Sequence, residues 1–344
     1  MNNFLKHCLK HLLSLISIVL VNSCSDSGIS EPYWSRIAYN ISRAESDGNT
    51  WSRLFTVPLL KERHNSNFQG LSCDSYGNIY TVTTWGGIYK YNRAAGTIDS
   101  INAAQLGYTN WPTFTSILSL NNSFLFCFLS EDRKFSVVLY KNGTALRKIL
   151  EENNRSNYGQ IYLSPNGTIY LYSENHLYVS VDNGYTWKII ATAVDGITQS
   201  IHNIIFDKYA NVFLATNKGV YYSQVGKNNF KCIGLSDIYV SSIQFNSKDW
   251  LYALNSTQLF VSKDRGSSWT LLENFPNIGG YSLYINKYNV LFVGTSDGIF
   301  RSTDYGETWE YVGLRNISVE KFTEGINGEL LALTWRSGIY VSKK

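Results

Sequence analysis

The chain has 344 residues and a formal net charge of +4, with 15% aromatic and only 16% charged residues. Such a composition excludes a disordered chain, a coiled coil and a collagen-like repeat, and +4 over this length gives no footprint for nucleic acid. Aromatic-rich, Met-poor and punctuated by 26 Gly, the chain reads as β-structure.

The first residues stand apart from the fold. Lys6 and Lys10 give a basic start, and Leu12 to Val21 form a mostly apolar run. The run is too short to span a bilayer, which takes about 20 residues, and suits a secretory signal. Val21-Asn22-Ser23-Cys24 follows, a small residue directly before a Cys. The arrangement resembles the bacterial lipobox, with Asn22 a departure from it. The resemblance implies cleavage after residue 23, lipid on Cys24 and a tether over 24–34. Loss of Lys6 and Lys10 then leaves a charge of about +2. Lipid would hold the protein on a membrane without spanning it. Ser25 rather than Asp follows the Cys, which in the lipoprotein pattern implies the outer membrane of a Gram-negative envelope.

Residues 35–344 read as one repeat array. Three segments share the pattern S-x-D-x-G-x-[TS]-W: Ser180 to Trp187, Ser262 to Trp269 and Ser302 to Trp309. In each, the Asp (Asp182, Asp264, Asp304) can accept backbone N–H groups across a turn. The Gly (Gly184, Gly266, Gly306) supplies positive φ, and the Trp (Trp187, Trp269, Trp309) packs back on the scaffold. The pattern resembles the Asp box, or bacterial neuraminidase repeat.

Around each box lie four short alternating runs, the period-2 signature of strands. Aligned first strands start near Gly70, Thr115, Gly159, His202, Ser241, Gly280 and Ser318. That spacing matches four-stranded propeller blades of about 40–45 residues. Seven starts predict a single all-β, seven-bladed β-propeller. The last unit supplies only three strands, ending at Gly338 to Ser342. Ser46 to Trp51 looks like a box with its Asp shifted by one, and Ser52 to Val57 like the strand after it. This N-terminal strand is expected to close the ring on the last blade, because an open ring would expose two edges.

Function is expected on one face. Strand direction alternates, so second-to-third-strand hairpins share a face with the connections between blades. First-to-second turns and the boxes occupy the opposite face. On the expected binding face lie Trp85, Trp111, Trp335, Arg336 and Arg63. The first and last blades would be neighbours in the ring, so Trp85, Trp335, Arg336 and Arg63 could converge there. Exposed Trp offers a flat face to a sugar ring or a protein hot spot; the competing reading packs each Trp on its own hairpin.

The repeat is similar to sialidases, other glycoside hydrolases, sortilin-type receptors and photosystem assembly-factor propellers. Such a resemblance specifies fold rather than chemistry. The sialidase Phe/Tyr-Arg-Ile-Pro signature has as its nearest string Ser35-Arg36-Ile37-Ala38, which lacks the aromatic and the Pro. Sialidases are also six-bladed, so a classical sialidase is not expected. A glycosidase needs two carboxylates about 5–10 Å apart. Glu62, Glu131, Asp132, Glu174 and Asp297 are the candidates by face, none in a recognisable motif. His64, His176 and His202 are widely separated, and no Walker loop, G-x-S-x-G or H-E-x-x-H occurs. No metal or cofactor is therefore expected. Cys73, Cys127 and Cys232 lie in strand-like runs and read as buried small hydrophobes, with one disulfide open as an alternative. The expectation is a monomeric, non-catalytic envelope lipoprotein whose loop face binds a protein or glycan and which meets the membrane through its lipid alone. A carbohydrate-active hydrolase on the same face is the alternative.

Overall fold

The computed structural model describes residues 51–55, 67–84, 87–101, 113–120, 123–130, 134–141, 144–153, 159–173, 176–192 and 201–342. The signal and tether, with Cys24, lie outside them, as do Arg63, Trp85 and Trp111.

Among the described residues, twenty-eight strands form seven antiparallel sheets of four. Blade 1 holds β2 (Phe68–Cys73), β3 (Ile79–Thr83), β4 (Gly87–Asn92) and β5 (Thr97–Ile101). Blade 2 holds β6 (Thr113–Leu120), β7 (Ser123–Leu129), β8 (Lys134–Lys141) and β9 (Thr144–Asn153). Blade 3 holds β10 (Gly159–Leu163), β11 (Ile169–Ser173), β12 (His176–Ser180) and β13 (Lys188–Thr192). Blade 4 holds β14 (Ile201–Phe206), β15 (Val212–Thr216), β16 (Gly219–Ser223) and β17 (Lys231–Gly234). Blade 5 holds β18 (Ser242–Phe245), β19 (Leu251–Leu254), β20 (Leu259–Ser262) and β21 (Thr270–Leu271). Blade 6 holds β22 (Gly280–Ile285), β23 (Leu291–Thr295), β24 (Gly298–Ser302) and β25 (Glu310–Gly313). Blade 7 holds β26 (Val319–Glu324), β27 (Leu330–Thr334) and β28 (Ile339–Ser342), completed by β1 (Trp51–Phe55).

The chain is thus a seven-bladed β-propeller, and its ring closes as the sequence predicts. β1 pairs antiparallel with β28, Trp51 opposite Ser342 and Phe55 opposite Ile339. Each first strand begins within two residues of the start read from the repeat.

The core is divided among the blade interfaces. Seven apolar clusters occur among the described residues, one between each pair of neighbouring blades. Phe68, Ile79 and Tyr89 of blade 1 pack on Leu331, Leu333 and Ile339 of blade 7, sealing the first-to-last interface. Second strands lie between two such clusters, and β3, β11, β15, β19 and β27 are buried along their whole length. Strands covered on both faces read as continuous apolar runs, which accounts for the low charge of the chain. Inner strands are also stitched across blades. Ser116 Oγ accepts from Ile161 N at 3.2 Å, Asn203 Oδ1 from Ile243 N at 3.1 Å and Ser242 Oγ from Leu283 N at 3.3 Å.

Cys73, Cys127 and Cys232 are free thiols. Burial fits Cys127 and pushes its thiol well up, but Cys232 is exposed. It sits on the outermost strand of its blade, β17, where no neighbouring sheet covers it.

Candidate functional site at the mouth of the central channel

The face carrying the first-to-second turns and the S-x-D-x-G-x-[TS]-W turns, called lower here, is built for structure. In all three turns the Ser hydroxyl donates to the Asp at 2.7–2.8 Å and accepts the Gly N–H. The same Asp accepts the N–H and the hydroxyl of the Thr or Ser four residues on. The Trp indole donates back to the Gly carbonyl at 3.1–3.2 Å. Gly184, Gly266 and Gly306 have φ of 87°, 102° and 99°. A Cβ there would also lie 2.4–2.7 Å from Leu125, Ile233 or Leu272 of the preceding blade. Glycine is required twice over, by backbone and by contact. Hydrogen bonds to the ionised carboxyls hold Asp264 and Asp304 down at about 2, and lower Asp182 as well. The Ser, Asp, Thr or Ser and Trp polar groups of these turns are used within the scaffold.

The upper face has hairpins of a different design. Thr216, Thr295 and Thr334, all buried at the ends of second strands, donate through Oγ1 to Gly219 O, Gly298 O and Gly338 O. The same hydroxyls accept N–H groups from Lys218, Asp297 and Ser337. In the last blade the clamp encloses three residues, Trp335, Arg336 and Ser337, where the other two enclose two. Trp335 N donates to Ser318 O at 3.0 Å, which fixes the hairpin, yet its side chain remains 41% exposed. Arg336 turns away: its Nε donates to Asn67 Oδ1 at 3.3 Å and its guanidinium carbon lies 5.9 Å from the Trp335 ring.

Trp335 stands on the rim of a cavity of about 310 Å³ at the upper mouth of the central channel. Blades 1, 3, 4, 5, 6 and 7 all contribute to its wall. The means is a recurrent β-bulge. β2, β14, β22 and β26 each slip register near their upper ends, at Phe68/Gly70, Ile201/Asn203, Gly280/Ser282 and Val319/Lys321. The extra residues are Gln69, His202, Tyr281 and Glu320, and all four line the cavity. A bulge re-aims a side chain that regular pleating would turn into the blade interface. β6 carries the same slip, at Thr115.

The floor is polar. Lys321 Nζ donates to Gln160 Oε1, joining blade 7 to blade 3 across the channel. Gln160 Nε2 donates in turn to Thr115 O at 3.4 Å. Ser318 Oγ donates to Glu320 Oε1 at 2.8 Å. Burial lowers Lys321 to about 8, and burial also raises Glu320, partly offset by Ser318 and Lys321. His202 Nε2 lies within hydrogen-bond distance of Asn217 Oδ1, at 2.6 Å. Partial burial lowers His202 further into the neutral range, and its ring packs on Tyr239 at 4.7 Å. Tyr239 and Tyr281, each 43% exposed, join Trp335 at the rim.

Of the sequence-predicted binding residues, Trp335 lines this cavity, and Arg336 lies beside it on the hairpin. The convergence of Trp85 and Arg63 on them concerns residues outside the described set, where Trp111 also lies. Glu320, Lys321, Gln160 and Tyr281 escaped the sequence reading. For Glu320 and Tyr281 the signal is a shared bulge position near the start of the first strand, visible only once registers are known; Gln160 and Lys321 carry no such mark. Among the candidate carboxylates, Asp297 accepts Asn316 N at 2.6 Å and is part of a turn rather than of the cavity. Glu62, Glu131, Asp132 and Glu174 lie outside the described residues. Glu320 is the one carboxylate among the described lining residues. No cluster of three metal-ligating side chains occurs among the described residues.

Residues 235–344 match a family model described as the DUF6242 beta propeller domain. No curated protein matches the sequence. Several solved propellers share the fold. YCF48 bound to D1 peptide superposes with a TM-score of 0.68 at 14% identity, covering 88% of this chain and 99% of that one. The extracellular domain of BT4673 from B. thetaiotaomicron gives 0.68 at 15% identity, over 86% of this chain and 40% of that one. A GH74 enzyme from Niastella koreensis gives 0.63 at 13% identity, over 80% of this chain and 52% of that one. Identities this low establish a common fold and leave the site chemistry to each protein.

Proposed function

We propose that the protein is a non-catalytic lipoprotein of the cell envelope, a monomer anchored through Cys24 and binding a protein or glycan at the upper mouth of its channel. One observation carries the reading: a cavity walled by six blades, aromatic at its rim and polar at its floor, with a single carboxylate among its described lining residues. The lower face, by contrast, spends its S-x-D-x-G-x-[TS]-W polar groups on its own turns, as an Asp-box scaffold would. YCF48, solved with a bound D1 peptide, supports the idea that a ring of this size can hold a partner. The lipobox-like segment at Cys24 supports the envelope assignment, with Ser25 favouring the outer membrane.

A glycoside hydrolase is the competing reading, favoured by the likeness to the GH74 enzyme. Glycoside cleavage by the usual mechanism takes two carboxylates, and Glu320 has no second one beside it among the described lining residues. Incubation with xyloglucan and other polysaccharides is expected to release no reducing ends; steady release that Glu320→Gln abolishes would establish the hydrolase. Trp335→Ala should weaken binding to glycan or peptide arrays at least tenfold, and undiminished signal would remove this mouth from consideration. In membrane fractionation, Cys24→Ala should abolish palmitate labelling and lipid-dependent retention. Unchanged labelling would refute the lipobox.

A further inference from the structure

The chemistry of the channel floor narrows the ligand class within the binding reading just given, on which this inference rests. Glu320 and Lys321 are consecutive on β26, and in a regular strand they would point to opposite faces. The bulge at Val319/Lys321 lets both line the same cavity. They form no ion pair with each other. Among the described residues, Lys321 bonds Gln160 alone and Glu320 bonds Ser318 alone. An ammonium has three donors and a carboxylate about four acceptor sites, so both groups keep hydrogen-bonding capacity directed at the cavity. Both are also half-buried in the cavity wall. Partly desolvated groups with unused capacity gain most from a ligand that completes their bonding.

The pair sums to zero charge. An acidic ligand would satisfy Lys321 and oppose Glu320; a basic one would do the reverse. The matching ligand is neutral and offers donors and acceptors side by side, which describes the vicinal hydroxyls of a sugar. One hydroxyl can donate to Glu320 while its neighbour accepts from Lys321. The rim suits the rest of the ring, since Trp335 and Tyr281 present exposed aromatic surface to the apolar C–H face of a pyranose. The cavity, about 310 Å³, lies at the small end of the ligand-pocket range, and strands converge on it from six blades. It therefore admits a chain end rather than the middle of a polymer. We infer that the channel mouth binds the neutral terminal sugar of a glycan, with Lys321 and Glu320 bonding a vicinal diol and Trp335 and Tyr281 packing on its ring.

The test uses the full chain on an array of hexose-terminated neutral oligosaccharides, uronate- and sialate-terminated oligosaccharides, and peptides. Neutral hexose-terminated glycans should be retained. Lys321→Met, Glu320→Gln and Tyr281→Ser should each weaken retention at least tenfold, with melting temperature checking that each variant folds. Should Lys321→Met fail to fold, Glu320→Gln and Tyr281→Ser carry the comparison. A preference for acidic glycans, or no glycan retained, overturns the inference. Peptides retained in a Trp335-dependent manner with no glycan bound would overturn it while leaving the upper-face reading intact. Glycan retention indifferent to Trp335, Glu320 and Lys321 would remove both.

Discussion

Ser262 and Ser268 both hydrogen-bond the Asp264 carboxylate within seven residues of chain. Locality is why such turns are legible in sequence: donor, acceptor and glycine sit at fixed offsets whatever surrounds them. The same bonds couple the turns to pH. Asp264 and Asp304 titrate at about 2 when folded, against 3.8 for an unperturbed Asp. Because the folded value is depressed, the stabilisation is complete above about pH 4 and is lost as pH falls toward 2. In calorimetry, the melting temperature of Asp264→Asn/Asp304→Asn should be lower than wild type at pH 7 and should fall less between pH 4 and pH 2. An identical acid profile in both proteins would deny these carboxyls that role. Glu320 shows the opposite case. Its neighbour Lys321 does not mark it in sequence, because the two share a cavity only through the bulge and the channel.

Closure of the ring is settled at the level of one element. β1 supplies the fourth strand of blade 7, and Trp51 is buried to 1% exposure between β28 and the neighbouring blade. Its ring lies 6.5 Å from Phe322, and its indole N–H has no partner among the described residues. Trp51→Ala should therefore destabilise by roughly 3–5 kcal/mol, the usual cost of emptying a large aromatic site. Trp51→Phe, which gives up no observed hydrogen bond, should recover most of that loss in denaturant unfolding. Equal losses in the two variants would show that the indole nitrogen matters. The strand was predicted because the last repeat lacked a fourth strand and the N-terminus held a spare one. It begins at Trp51, the last residue of the degenerate box and one residue before the expected start. The hairpin holding Trp335 was also placed correctly, but its lengthened Thr334–Gly338 clamp was visible only after the hairpins of blades 4, 6 and 7 could be compared.

At the scale of the whole molecule, the channel creates the environment that its residues share. Lys321 sits in the channel wall, where Gln160 of blade 3 reaches it, and burial brings it to about 8. A ligand held by the ammonium should bind best below that value. In titrations followed by calorimetry or fluorescence, affinity for a hexose-terminated oligosaccharide should fall as pH rises from 7 to 9. Lys321→Met should bind weakly at every pH across that range. A flat wild-type profile would separate Lys321 from binding.

The sequence by itself determined the number of blades, the four-strand plan, the closing strand and the three structural turns. Each of these depends on contacts at short offsets or on a repeat period, and both are written directly in residue order. Which side chains share the channel mouth was decided only by tertiary structure. Gln160 and Lys321 are 161 positions apart and meet because the ring brings blades 3 and 7 to one axis. Gln69, His202, Tyr281 and Glu320 face that axis because of bulges, and a bulge is a mismatch between two paired strands that neither strand reveals alone.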